Sequence, residues 1–346
     1  MDKIKEKNRL IMEIVSGIAV SMLIVLVTTY FPVFGLFMAL ILPMPILYFR
    51  LKLGRNSGAL IMFAVFAMTF VATELFSGGG SSEITGNLQG VSDRFSISID
   101  LLFYGSLLLT GFALGECLEL RLSIEKSFVY TVISTLGVCS VLFFLYALST
   151  GQGVGSIVSE YVSDNLKLTL ALYENMGMSQ ESIEIIENSI EAIQYVLVRM
   201  LPALITTLLV FVIWVNILFI KKILTKKGIY LAELKNLNQW KAPEHLVWFV
   251  IVLILLMIIP GKTMKIVAFN CIMILMPIYF FQGIAIISFI FERKNFPPLL
   301  KISIYIIIAI QQILVLGIIG LGFLDTWINF RKIGTLNDSD RESLDG

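Results

Sequence analysis

Long apolar runs separated by short charged clusters dominate the chain. A hydrocarbon layer about 30 Å thick takes roughly 20 apolar residues in helix, and by that measure nine runs stand out: 10–29, 32–49, 56–76, 98–116, 127–148, 196–220, 246–260, 266–291 and 302–324. None alternates with the period of a strand. In lipid a helix satisfies its own backbone, so each run predicts a transmembrane helix. Tyr30, Phe31 and Pro32 are all that part the first two runs, which predicts a tight hairpin with aromatic residues at the interface. The run 246–260 is short and ends in Pro260-Gly261, as either a full span or half of a re-entrant pair. The fold class is therefore all-α, a polytopic helical bundle of eight or nine spans.

Two connections are long. Residues 77–97 open with Ser77-Gly78-Gly79-Gly80, have no periodicity and predict a flexible loop. Residues 149–195 carry Glu160, Asp164, Glu174, Glu181, Glu184, Glu187 and Glu191 against Lys167. Apolar positions there recur at helical spacing, at Ile157 and Tyr161, then at Ile183, Ile186, Ile190 and Ile193, with a break at Asn175-Met176-Gly177. This predicts two amphipathic helices joined at the glycine, with Ser179 as N-cap of the second. Their acidity favours packing on protein over binding to anionic headgroups. The domain organisation is a single transmembrane domain over 1–335 with this insert at 149–195, a basic loop at 221–245 and a disordered tail at 336–346.

Charge sets the orientation. Lys3, Lys5, Lys7 and Arg9 precede the first span and place the N-terminus in the cytoplasm; the start reads as a retained span. Arg50, Lys52 and Arg55, then Arg121 and Lys126, then Lys221, Lys222, Lys226, Lys227, Lys235 and Lys241, then Arg293, Lys294 and Lys301 mark successive cytoplasmic connections. Nine crossings would put Arg331, Lys332 and Arg341 outside, so eight crossings with both ends inside are preferred over nine. The acidic insert then faces out.

Composition agrees with the pattern. Hydrophobic residues make up 57% and charged residues 15% of the 346 positions, with mean hydropathy +0.89, whereas soluble domains carry about 25% charged residues. A lipid bilayer is the implied surroundings. A net charge of +1 gives no pull toward nucleic acid. Cys117, Cys139 and Cys271 sit in or beside apolar runs without paired spacing and predict neither disulfide nor metal site.

Catalytic motifs are absent from the pattern. His245, in Ala242-Pro243-Glu244-His245, is the one histidine and lacks the partner that a zinc-protease helix needs. Gly78-Gly79-Gly80 is followed by no Lys-Ser/Thr, and Gly317, Gly320 and Gly322 lie in an apolar span, where small residues serve close helix packing. No cofactor is expected, and an enzyme is the weakest functional class. Polar groups inside the spans carry more weight, because they tend to face the bundle interior. Asn216, Asn270, Gln282, Gln311 and Gln312 are the candidate solute-binding residues; hydrogen bonding between helices is the competing role. Glu13, Glu74, Asp100, Glu116 and Asp325 fall near span ends, within reach of the interface. Pro43, Pro45, Pro202 and Pro277 are the candidate helix breaks.

Three stretches carry a family resemblance: Leu42-Pro43-Met44-Pro45-Ile46-Leu47 followed by basic residues; Asn238-Gln239-Trp240-Lys241-Ala242-Pro243-Glu244-His245-Leu246-Val247-Trp248; and Gly322-Phe323-Leu324-Asp325-Thr326-Trp327-Ile328-Asn329-Phe330-Arg331-Lys332. In order and spacing they resemble the YybS-like bacterial membrane proteins, a family classed as a domain of unknown function. The resemblance covers nearly the whole chain and implies a bacterial cytoplasmic-membrane protein, without bringing a substrate or catalytic residues. At fold level such proteins are similar to the substrate-binding S components of energy-coupling-factor transporters. Two functions follow as expectations: a small-solute binding or transport component, and a non-transport scaffold docking a protein partner or a second copy. Trp327 is the expected interfacial anchor, with Arg331-Lys332 in the cytoplasmic leaflet.

Overall fold

The computed structural model describes residues 2–77, 92–228, 231, 234, 237–328, 330 and 331. Among them there is no strand. The helices are α1 (Asp2–Tyr30), α2 (Pro32–Ile41), α3 (Pro43–Leu53), α4 (Arg55–Ser77), α5 (Ser92–Glu119), α6 (Ile124–Thr150), α7 (Val154–Asn175), α8 (Gln180–Lys226), α9 (His245–Ile258), α10 (Lys262–Arg293), α11 (Pro298–Ile310) and α12 (Gln312–Ile328), with a 3₁₀ turn at Leu237–Gln239. Among the described residues seven helices are long and apolar enough to cross a membrane, or eight if the bent pair α11–α12 is one span; α9 is a shorter apolar helix. The all-α polytopic bundle expected from the hydrophobic pattern is the architecture found.

The chain groups into two compact units, Met1–Gly151 with Leu209–Leu234, and Gln152–Leu208 with Lys235–Gly346. In the first, α3 packs on α4 and α5, α1 on α2 and α4, and α5 on α6. Its core is Ile24, Leu42, Ile46, Ile61, Val65, Leu108 and Val212 with their neighbours. The distribution of polarity is that of a lipid-bathed bundle. α6 buries Ser127, Thr131 and Thr135, four residues apart on one face, and exposes Val129, Ile133, Val141 and Phe144. The inner hydroxyls find partners: Thr135 meets the Thr110 hydroxyl at 3.4 Å, and Thr131 donates to the Cys117 sulfur at 3.8 Å. Small polar residues inside and large apolar ones outside is the arrangement that helix association in hydrocarbon favours.

In the second unit α10 packs along α12 and against α9. Here Gly283 and Gly322 let two backbones touch. A Cβ at Gly322 would collide with the Tyr279 carbonyl, and one at Gly283 with the Ile318 carbonyl. Gly317 and Gly320 have no such neighbour, so of the three glycines assigned to helix packing only Gly322 is used for it.

Several expected boundaries moved. Ser92 to Ile97 are helical, extending α5 into what was expected as loop, while 78–91 and the tail 336–346 lie outside the described residues. In the insert, α7 ends at Asn175 and Gly177 has φ +79°, as the break predicted. Ser179 Oγ accepts the Ser182 N–H at 3.4 Å, in the N-cap geometry. The second insert helix does not end before the span: α8 runs through as one helix of 47 residues. Nothing between Tyr195 and Val196 breaks a helix, and Pro202 costs α8 one backbone donor without ending it. Pro277 likewise lies inside α10, whereas Pro43 does part α2 from α3. The break within the last span has no proline. The expected span 302–324 is bent by 105° between α11 and α12 at Gln311, whose φ −97° and ψ 103° are extended. Its flanking run, Ile306-Ile307-Ile308-Ala309-Ile310, is rich in β-branched residues with lowered helix propensity.

The α10–α12 crossing yields a test. Gly322→Ile should lower stability in detergent by about 1–3 kcal/mol, the cost of overpacking, while Gly317→Ile, with no neighbour to strike, should leave the unfolding midpoint nearly unchanged.

Candidate functional site

The second unit holds a fully buried ionic network. Asp325, near the end of α12, is 0% exposed and Arg331, just beyond it, 1%. Arg331 Nη2 lies 2.7 Å from Asp325 Oδ2, which also accepts from Gln282 Nε2 on α10 at 3.2 Å. Asp325 Oδ1 accepts the Phe330 N–H at 3.0 Å. The other ends reach the segment ahead of α9. Arg331 Nη1 donates to the carbonyls of Asn238 and Trp240 at 3.0 and 2.9 Å, and Gln282 Oε1 accepts the Ala242 N–H at 3.2 Å. Asn238 Nδ2 in turn donates to Glu292 on α10 at 2.5 Å. Both carboxylate oxygens are satisfied, as a charge in an apolar interior requires. Asp325 was expected within reach of the interface; instead it closes on Arg331, because neither can stay charged and unpaired where it sits. Lys332 and Lys235 lie outside the described residues. Trp327 is 52% exposed.

The first unit has its own buried arginine. Arg50 on α3 is 1% exposed, and its Nη2 lies 2.5 Å from both Glu116 and Glu119 on α5. Its stem passes beside Gly58 and Gly115, where any Cβ would collide with it. Nearby, Lys52 pairs with Glu13 at 2.8 Å and Arg55 with Glu116 at 3.6 Å. Two of the carboxylates expected near span ends, Glu13 and Glu116, are thus fixed in ion pairs.

The five candidate solute ligands do not converge. Asn216 belongs to the first unit and the other four to the second. Asn216 Nδ2 donates to the Leu40 and Val212 carbonyls, both at 2.8 Å. Gln282 is engaged at both ends in the ionic network. Gln311 and Gln312 are exposed at the α11–α12 break. Asn270 on α10 donates to the Arg199 carbonyl at 2.8 Å, and its Oδ1 is buried with no hydrogen-bond partner. Among the described residues no hydrogen bond joins any two of the five. His245, the first residue of α9, is exposed.

What composition alone did not single out is a polar recess beside Arg199. It measures about 250 Å³ and is lined by Ser159 of α7 and by Glu191, Gln194, Tyr195, Val198 and Arg199 of α8. Gln194 Nε2 donates to the Ser159 carbonyl and hydroxyl, both at 2.9 Å, and so ties the two helices. The Arg199 guanidinium stacks 3.5 Å over the Tyr195 ring and donates from Nη1 to the Tyr195 carbonyl at 3.0 Å. Glu191, Gln194, Tyr195 and Val198 recur at the helical i, i+3, i+4, i+7 spacing, and that is the signal in the sequence that places them on one face. The recess offers carboxylate, guanidinium, amide and hydroxyl groups within one concavity. No group of three or more His, Cys, Asp or Glu among the described residues could hold a metal.

Two of the stretches that carried the resemblance, Asn238–Trp248 and Gly322–Lys332, are joined through the Asp325–Arg331 network, and the third leads directly into Arg50. A network made of one buried charge pair predicts a particular mutational pattern. Arg331→Ala should cost about 3–5 kcal/mol by stranding Asp325. The double replacement Asp325→Leu with Arg331→Met should recover most of that in the same detergent unfolding assay.

Comparison with known proteins bears on these same stretches. The family model described as "Predicted membrane protein (DUF2232)" matches residues 19–81 and 95–326. A Bacillus subtilis (strain 168) relative described as "Uncharacterized protein YybS" is 22% identical over 341 residues, covering 94% of this chain and 99% of its own length. No solved structure matches, so no structural match carries the likeness to energy-coupling-factor S components. With both halves of the chain inside the family match, the protein belongs to the DUF2232 family of predicted membrane proteins.

Proposed function

We propose that this membrane protein binds a small polar solute and serves as a solute-recognition or transport component, with the recess between α7 and α8 as its binding site. One observation carries this: Ser159 of α7 and Glu191, Gln194, Tyr195 and Arg199 of α8 line one concavity that brings a carboxylate, a guanidinium and an amide together. A carboxylate and a guanidinium in the same recess suit a solute bearing both charges. At about 250 Å³ the space fits a solute smaller than a drug-sized ligand, whose pockets run from about 300 Å³ upward. Asn270 supports the assignment, since its amide grips the Arg199 carbonyl and fixes the backbone on which the guanidinium is mounted.

The break at Gln311 supports the transport side of the proposal. A helix end leaves up to four carbonyls, and the next helix start up to four N–H groups, without partners in their own helix. In membrane transporters such half-helix ends and their exposed polar side chains serve a solute path. Gln311 and Gln312 supply two amides at that point.

In this proposal the protein lies in the bacterial cell membrane with its N-terminus in the cytoplasm, and the acidic α7 and the start of α8 face outward. The recess then opens to the side from which a solute would arrive. A phosphatase reporter inserted at Met176-Gly177 should be active only in its extracytoplasmic form, and a cytoplasmic signal there would reverse the orientation.

Solute binding is tested on purified protein by thermal shift against a panel of amino acids, small peptides and quaternary amines. A solute that raises the midpoint in wild type should lose at least about tenfold in affinity on Arg199→Ala, equivalent to about 1.4 kcal/mol, and similarly on Glu191→Ala. An unchanged affinity in both variants would sink the assignment of this recess.

A further inference from the structure

In the first unit α4, α5 and α6 enclose a second, wholly different concavity. It measures about 360 Å³, and its lining includes Phe63 and Phe66 of α4, Leu102 and Leu109 of α5, and Cys139 and Leu142 of α6. No charged side chain lines it. The one serine, Ser106, donates its hydroxyl to the Phe103 carbonyl at 2.7 Å and has no proton left for a ligand. The floor lies at Gly105, where a Cβ would come within 3.0 Å of the Phe66 ring. The rim is open, with Phe63 65% and Leu142 48% exposed.

We infer that this groove seats one acyl chain of a membrane phospholipid along α5 and α6. Three observations select that occupant. The lining is almost wholly apolar, with no charged group and with Ser106, Cys139 and Tyr146 as its polar side chains. All three helices are long and apolar enough to cross the membrane, so the rim opens where phospholipid is the solvent. The lining spans Leu101 to Leu109 on α5 and Val138 to Tyr146 on α6. At 1.5 Å per residue that is about 12 Å parallel to the helix axes, a slot for an extended chain lying as bilayer chains lie. The volume is within the range of about 300–1,000 Å³ typical of ligand sites. Cys139 places a thiol inside the slot as a native reporter.

The experiment uses full-length protein in phosphatidylglycerol vesicles doped with a phospholipid that carries a diazirine in mid-chain. Adducts, mapped by mass spectrometry after illumination, should fall on Phe66, Leu102 and Cys139. Their yield should be about tenfold above that at Val141 and Leu145, which sit at the same level of α6, are exposed and lie off the groove, a ratio worth about 1.4 kcal/mol. Leu142→Trp, which fills the slot from its open rim, should reduce groove adducts to the Val141 level while leaving the Val141 yield unchanged. Should that variant misfold, the wild-type protein alone is decisive. Cys139 should alkylate slowly with a lipid-soluble maleimide in vesicles and at least about tenfold faster after delipidation in detergent. Equal adduct yields on and off the groove would overturn the inference, as would Cys139 crosslinking between two copies in place of lipid adducts. Neither outcome bears on the polar recess of the other unit.

Discussion

Hydrocarbon offers a buried polar group nothing to bond, and the internal design of both units follows from that constraint. An arginine or carboxylate drawn into a bundle must bring its counter-charge with it, and hydrogen bonds from elsewhere in the fold hold the pair further. Asp325 and Arg331 are the plainest case. Their ion pair alone would leave lone pairs and N–H groups stranded, so Gln282, the Phe330 N–H and the Asn238 and Trp240 carbonyls are recruited around it. Because those partners come from three stretches of chain, satisfying one charge pair also fixes where α10, α12 and the entry to α9 lie. Arg50 is held by counter-charge alone: its Nη2 reaches Glu116 and Glu119 because Gly58 and Gly115 leave room for its stem, while its Nε and Nη1 have no hydrogen-bond partner among the described residues.

Apolar contact contributes differently from its role in a soluble domain. Lipid tails solvate leucine as well as protein does, so helices gain little by hiding apolar surface and more by approaching closely. Gly283 against the Ile318 carbonyl and Gly322 against the Tyr279 carbonyl are such approaches. Around them Tyr279, Phe323 and Trp327 form a chain of edge-on ring contacts at 5.3 and 5.2 Å. The hydroxyl ladder of Ser127, Thr131 and Thr135 does for α6 what leucines do for a soluble helix, marking the face that turns inward.

The helical, membrane-embedded class was legible in the sequence because hydrophobic run length is a property of each segment by itself. So was the turn at Gly177, where a glycine must take positive φ, and the capping role of Ser179. Pairing is not local, and there the sequence was silent. Nothing in Gly322–Lys332 announces that Asp325 and Arg331 face each other, since a span-end charge looks the same whether it reaches water or a partner. The prolines misled for a related reason. Pro202 and Pro277 each remove one backbone donor, a defect a long, well-packed helix absorbs, whereas Gln311 breaks a span through the weak helix preference of the isoleucines before it and the polarity of the two glutamines. Glu191, Gln194, Tyr195 and Arg199 were readable as one face, but what faces them from α7 was not.

The two concavities make opposite demands, and the difference separates supporting structure from site. Asn216, Gln282, Asp325 and Arg50 lie at points where a polar atom is costly to bury, and the groups they engage are bonded to neighbouring protein, although Asn216 Oδ1 and Arg50 Nε and Nη1 have no hydrogen-bond partner among the described residues. A group so committed can hold a helix in place but has little left to offer a solute. Arg199 and Glu191 are exposed, and Arg199 keeps part of its fork outside the bond to the Tyr195 carbonyl. Asn270 is held as Asn216 is, with its donor engaged and its buried acceptor without a hydrogen-bond partner among the described residues. In the proposed function, recognition belongs where polarity is cheap, at the end of a long helix that continues beyond its apolar stretch. The unbroken run of α8 from the acidic insert into the span is what mounts Glu191, Gln194 and Arg199 on a rigid continuation of a transmembrane helix.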